Sequence, residues 1–191
     1  MERSAELNHL VLSESNLTRV ISWAVAADQK AGIILTFVLF SLGYLFSQSN
    51  EGLKLFFILI KRPESLNILL SYVSVTLLIL LFCSSGFFLF WAGFHLVSAL
   101  RPRVAPHSAK KSLFFFGSIA QMPCDEFTEE FSALDHGKTL KAICDQTFNV
   151  AKVISAKYQH ISDSIWWFQY GILLLAGFSL LCQLMTQLLS R

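Results

Sequence analysis

From Leu66 to Leu100 the chain contains no Asp, Glu, Lys or Arg. Wound as an α-helix at about 1.5 Å per residue, that stretch reaches roughly 50 Å, against a bilayer hydrocarbon core of about 30 Å. One crossing uses two-thirds of it, and the remainder around Phe94 to Leu100 is expected to tilt or to project as helix. Composition points the same way: 54% of the 191 residues are hydrophobic and 15% charged, where soluble domains carry about 45–50% and about 25%. A disordered chain is excluded. The balance of 15 Lys and Arg against 13 Asp and Glu excludes a nucleic-acid binder. These numbers describe a small membrane protein.

Two further stretches qualify as spans. Ala31 to Phe46 is uncharged but reaches only roughly 24 Å as helix, so the first span is expected to begin near Trp23. Asp28 and Lys30 then fall in its first turns. Ser164 to Leu189 is the third, and its Trp166, Trp167 and Tyr170 have the composition of an interfacial aromatic belt. The apolar run Leu53 to Ile60 is interrupted by Lys54 and closed by Lys61, Arg62 and Pro63. It reads as an interfacial segment within a loop over Ser47–Ser65, with Pro63 and Glu64 opening the second helix. The N-terminal Met-Glu-Arg-Ser-Ala-Glu is followed by no export signal. Eight Lys and Arg lie in 101–163, three in the loop, and Arg3 and Arg19 in the N-terminal tail. Positive-inside bias therefore places the N-terminus and the middle segment in the cytoplasm. The expected organisation is a cytoplasmic helix over 1–30, two spans over 31–100, a cytoplasmic segment over 101–163 and a third span over 164–191.

The cytoplasmic parts read as mostly helical. Leu10, Leu17, Ile21, Ala24 and Asp28 fall at helical spacing on one face; Arg19, Trp23, Ala26 and Lys30 fall on another. Asp28 and Lys30 are two residues apart, about 200° around a helix, so each needs its own partner. Arg101 to Pro106 reads as extended, and the Phe-rich Ser112 to Ala120 as strand-like or buried extended chain. Pro123 opens a short helix with Phe127, Phe131 and Leu134 on its apolar face, ended at His136-Gly137. From Lys138 a long amphipathic helix runs into the third span, with a near-heptad seam of Ile143, Val150, Ile154, Tyr158, Ile161 and Ile165. The expected fold is an all-α membrane protein with three transmembrane helices, long cytoplasmic helix extensions and a short Phe-rich extended segment.

Nothing in the pattern indicates catalysis. Cys83, Cys124, Cys144 and Cys182 lack C-x-x-C spacing, and the five histidines lack H-E-x-x-H or similar spacing, so no metal, cofactor or enzyme chemistry is expected. The residues that need a reason are Asp28 and Lys30, because a charge at the bilayer centre costs about 2.5–3.5 kcal/mol and less near the interface. A snorkelling Lys30 and a packing Asp28 would account for them. So would a polar pocket in which Arg19, Trp23 and Lys30 offer two cations and an aromatic plane to a flat, anionic ligand. Lys157 sits at a similar depth on the helix entering the third span, so the two extensions can close on one ligand. An ion-conducting channel or transporter subunit using Asp28, or a purely structural adaptor, would fit the same composition. Small residues such as Gly43, Gly86, Gly93, Gly171 and Gly177 favour close helix packing or a homo-oligomer.

The stretch Ile21-Ser-Trp-Ala-Val-Ala-Ala-Asp-Gln-Lys-Ala31 resembles the entry into the first membrane helix of the transmembrane effectors of Pycsar, the bacterial pyrimidine cyclase antiphage defence. Leu100-Arg-Pro-Arg103 is similar to that family's basic-proline exit from the second span, and Phe114-Phe-Phe-Gly-Ser-Ile-Ala120 to its aromatic segment. The likeness covers roughly Thr18 to Leu181, departing at Gly117-Ser118, where the family has an acidic residue. It implies an effector in the bacterial inner membrane, activated by a cyclic pyrimidine nucleotide (cUMP or cCMP) that a partner cyclase makes. It adds Arg101, Arg103 and Phe116 to Arg19, Trp23, Asp28, Lys30 and Lys157 as ligand-binding candidates. A membrane defence effector gated by a different ligand is the nearest alternative.

Overall fold

The structure, a computed structural model, describes residues 2–61, 68–101 and 112–189. Three long helices carry the chain: α1 (Glu2–Lys61), α2 (Ile68–Leu100) and, after two short helices α3 (Phe116–Ile119) and α4 (Cys124–Ser132), α5 (His136–Leu189). Each long helix contains a stretch long and apolar enough to cross a membrane. The all-α membrane architecture is therefore as the sequence implies. The chain divides into two units, Met1–Lys30 with Leu100–Tyr158, and Ala31–Ala99 with Gln159–Arg191.

In the first unit the inward positions of α1 alternate in steps of three and four: Leu10, Ser13, Leu17, Val20, Ala24 and Ala27, all buried or half-buried. Ile21, expected on this face, is 48% exposed. On α5 the inward set is Ile143, Thr147, Val150, Ile154 and Lys157. This is the 3.5-residue period of coiled-coil packing, with one lysine in an otherwise apolar or small seam.

The second unit continues both repeats. Its core gathers Leu45, Leu55 and Leu59 of α1, Leu78 and Leu89 of α2, and Leu175, Phe178, Cys182 and Met185 of α5. Ser85, Ala92, Ser164 and Gly171 are buried small residues that let the backbones approach, as membrane helices require in place of a hydrophobic driving force. The Ser164 hydroxyl donates to the Ala92 carbonyl across the α2–α5 seam at 3.0 Å. Phe40, Phe46, Phe90 and Leu173 face outward, as suits a surface solvated by lipid. Of the aromatic belt, Trp166 and Tyr170 point out and stack on each other, while Trp167 packs inward on Phe88 and Trp91. Ile165, expected in the seam, is outside it at 39% exposure.

Three local expectations are corrected. Within the expected loop over Ser47–Ser65 with its interfacial segment, residues 47–61 are instead the last part of α1, and 62–65 lie outside the described residues. The Ser47 and Ser49 hydroxyls return to the carbonyls of Tyr44 and Phe46, Glu51 pairs with Lys54, and Leu55 and Leu59 are buried in the core. Packing outweighs the weak helix propensity of Ser and Asn. The Phe-rich stretch is no strand or extended run but a turn leading into α3. His136 opens α5 rather than closing α4. Pro63, Glu64 and the Arg101–Pro106 stretch beyond Arg101 lie outside the described residues.

The start of α5 is fixed by Asp135, whose carboxylate accepts the Lys138 backbone N–H at 2.7 Å. That bond, reinforced by the Lys138 charge, holds the Asp135 carboxyl below its ordinary value. A lowered folded-state pKa contributes stability above the ordinary carboxylate value, lost as pH falls through the lower, folded one. Asp135→Ala is therefore expected to speed amide exchange at Lys138 and Thr139 at neutral pH, with the difference from wild type vanishing in strong acid.

Candidate ligand site

Ionisable side chains gather in the first unit where α1 and α5 turn apolar. Lys157 sits in the seam with its side chain only 12% exposed, and its ammonium donates to the Asp28 carboxylate, 45% exposed, at 2.5 Å. The two residues are 129 positions apart in sequence. Asp28 follows the buried Ala27, so it flanks the seam and reaches a lysine that α5 holds within it. An ammonium there has given up most of its water, and the carboxylate replaces it.

Beside it, the Lys30 ammonium lies over the Tyr158 ring, 5.5 Å from its centre. The two contacts are interleaved: Asp28 and Lys30 on α1 meet Lys157 and Tyr158 on α5. Each α1 charge thus finds a different partner, as their angular separation demands. Arg19 is farther toward the N-terminus, its guanidinium 5.8 Å from the Trp23 ring centre and donating to the Asn16 side chain at 2.7 Å. Both Arg19 and Trp23 are exposed.

Of the candidates from the sequence, Asp28 and Lys157 touch directly, and Lys30 joins them through Tyr158. Arg19 and Trp23 pair with each other. Arg101 is exposed just past the end of α2; Arg103 lies outside the described residues; Phe116 opens α3. Tyr158, expected in the seam, is half-buried there and its ring is also the platform for Lys30. Its position next to Lys157, at the last turn before the apolar stretch, was the available signal.

Chemically the cluster offers two cations, a carboxylate that neutralises one of them, and an aromatic face. An anionic group with a planar attachment can exchange with Asp28 for Lys157 and keep the ring contact. A hollow elsewhere, lined by Gly52, Leu53, Phe56, Phe82 and Phe178 with Ser49 at one side, is almost wholly apolar and holds no charged group. A family model described as the Pycsar effector protein domain matches residues 12–183 of the chain. No curated protein and no solved structure matches it.

Proposed function

This chain belongs to the Pycsar effector family, and we propose that it is an inner-membrane protein activated by a cyclic pyrimidine nucleotide, cUMP or cCMP, to impair the membrane during phage infection. Family membership makes it an antiphage defence effector rather than the cyclase; the ligand and the membrane lesion are the proposal. The observation that carries it is the Asp28–Lys157 pair beside Lys30 and Tyr158. A cyclic mononucleotide bears one negative charge and a flat base, the two features this cluster is equipped to meet.

Its phosphate competes with Asp28 for Lys157 and draws on Lys30, while the base stacks on an aromatic face. Arg19, Trp23, Arg101, Arg103 and Phe116 complete the candidate set. Each partner of the ion pair belongs to a helix that runs on without a break into an apolar stretch. Separating the pair releases the register of those helices, and the nucleotide drives this only by binding the released state more tightly. The N-terminus and 101–163 face the cytoplasm, where the partner cyclase acts, and several copies assemble to form the lesion.

The test is membrane potential in proteoliposomes carrying the full chain, with cUMP, cCMP or their linear monophosphates added. Depolarisation by a cyclic pyrimidine nucleotide and not by the linear forms is the expected result. Silence with every cyclic mononucleotide overturns the gating. Lys30→Ala and Lys157→Ala are each expected to weaken nucleotide binding by about tenfold, the equivalent of roughly 1.4 kcal/mol for one charged contact. Unchanged affinity in both removes the site. Ion flux that needs no nucleotide and disappears in Asp28→Asn would instead mark a transporter.

A further inference from the structure

The second unit holds a cluster of a different chemistry. His95 of α2 and His160 and Asp163 of α5 each offer one ligand atom, all within 4.8 Å of one another, and all three side chains are half-buried. We propose that they form a binding site for a divalent first-row transition metal of the Zn2+ class, clamping α2 to α5 at the end of the membrane-spanning segments.

Four observations carry this. The Nδ1 atoms of His95 and His160 face each other at 3.5 Å, beyond the usual range of about 2.7–3.2 Å for an N–H donor. A tetrahedral zinc with Zn–N bonds of about 2.0–2.1 Å separates its ligands by roughly 3.4 Å, so two lone pairs aimed at one cation account for the spacing better than a hydrogen bond. His160 and Asp163 are three residues apart on one helix, hence neighbours on its surface. Two imidazoles and a carboxylate are a donor set that suits zinc and leaves a fourth position for water.

The third observation is electrostatic. Asp163 is the last formally charged residue before the uncharged Ser164–Leu189 stretch, and among the described residues no Lys or Arg pairs with it. A carboxylate at the edge of the hydrocarbon needs a counter-charge, and a dication held by two neutral imidazoles supplies it. The fourth is the frame. The Ser164–Ala92 hydrogen bond fixes the α2 and α5 backbones one turn away, and the Trp91 and Phe94 rings stand edge-on to His95 at 6.1 and 6.2 Å. Small side-chain rotations bring the third ligand in without moving either helix.

The experiment uses the full chain in detergent, purified on a tag without histidine and stripped with chelator. Titration with Zn2+ is expected to show one ion per chain, and Co2+ to give the visible absorption of a low-symmetry, four- or five-coordinate site. His95→Gln, His160→Gln and Asp163→Asn are each expected to weaken Zn2+ by about a hundredfold or more, since losing even an outer-shell partner costs roughly ten- to hundredfold. His9→Ala, an exposed histidine of the first unit, leaves it unchanged. Absence of stoichiometric Zn2+ binding by the wild type overturns the site, as does wild-type affinity in His160→Gln and Asp163→Asn. Should those variants misfold, a Co2+ complex of the wild type that keeps the octahedral aquo spectrum overturns it equally.

Discussion

Gly171→Val is expected to separate α2 from α5 and to cost substantially more stability than any other substitution at a glycine of the described spans. A Cβ added at Gly171 would meet the Leu89 side chain at 2.8 and 2.9 Å and the Leu89 backbone nitrogen at 3.2 Å. Leu89 is fully buried, so it has nowhere to swing, and backbone cannot yield. Alanine recovers about 1 kcal/mol of helix propensity relative to glycine, but overpacking a core costs roughly 1–3 kcal/mol. Gly171→Ala should therefore come out mildly destabilising. Valine adds two more methyl groups to the same space and recovers less propensity, so overpacking wins outright. Gly43→Ala is the matched control: nothing lies within 4 Å of its Cβ position, and a gain of roughly 0.5–1 kcal/mol is expected. Thermal unfolding in detergent, followed by helicity, reads all three. Gly171→Val melting with Gly43→Ala would mean that the α2–α5 seam is not held by this contact.

That contrast shows where sequence ends as a guide. Gly43 and Gly171 both occupy apolar stretches, and composition marks both as close-packing candidates; only the register of two helices distinguishes them. The three spans were legible because charge exclusion acts on each stretch by itself. The length of α1 was not. Ser47 to Asn50 carry poor helix formers, and the fact that overrules them is the burial of Leu55 and Leu59. The Phe-rich segment misled for a related reason: strand propensity reflects a pleated surface to pack on, and here no sheet supplies one among the described residues. In the candidate ligand site, the need of Asp28 and Lys30 for separate partners could be read from helix geometry. The identity of those partners could not, because Lys157 and Tyr158 come from the far end of the chain. His95 and His160 are likewise 65 residues apart, and spacing motifs find ligands on one element, not across two.

Asp28→Asn is expected to destabilise the first unit more than Lys157→Met, although the two substitutions break the same ion pair. The asymmetry follows from burial. Removing Asp28 leaves an ammonium that is only 12% exposed without a counter-ion, whereas removing Lys157 leaves a carboxylate that is 45% exposed and open to water. A buried charge stripped of its partner costs about 3–5 kcal/mol, while a half-exposed one is rehydrated at a cost of roughly 1 kcal/mol. Methionine also restores an apolar side chain of similar length to the seam position between Ile154 and Ile161. The double variant Asp28→Asn with Lys157→Met should therefore recover most of the loss, giving a coupling energy opposite in sign to the two single losses and of order 3 kcal/mol in a double-mutant cycle. Chemical unfolding of the full chain measures all four corners. Equal losses in the two single variants would show that water reaches Lys157 and that the pair is a surface contact. Gating then separates from stability in the double variant. It folds, it lacks the Lys157 ammonium that the phosphate captures, and it is expected to leave the membrane potential unchanged with any cyclic nucleotide. A double variant that still depolarises on cUMP or cCMP would place the phosphate contact on Lys30 and the arginines, and leave the ion pair with a purely structural role in setting helix register.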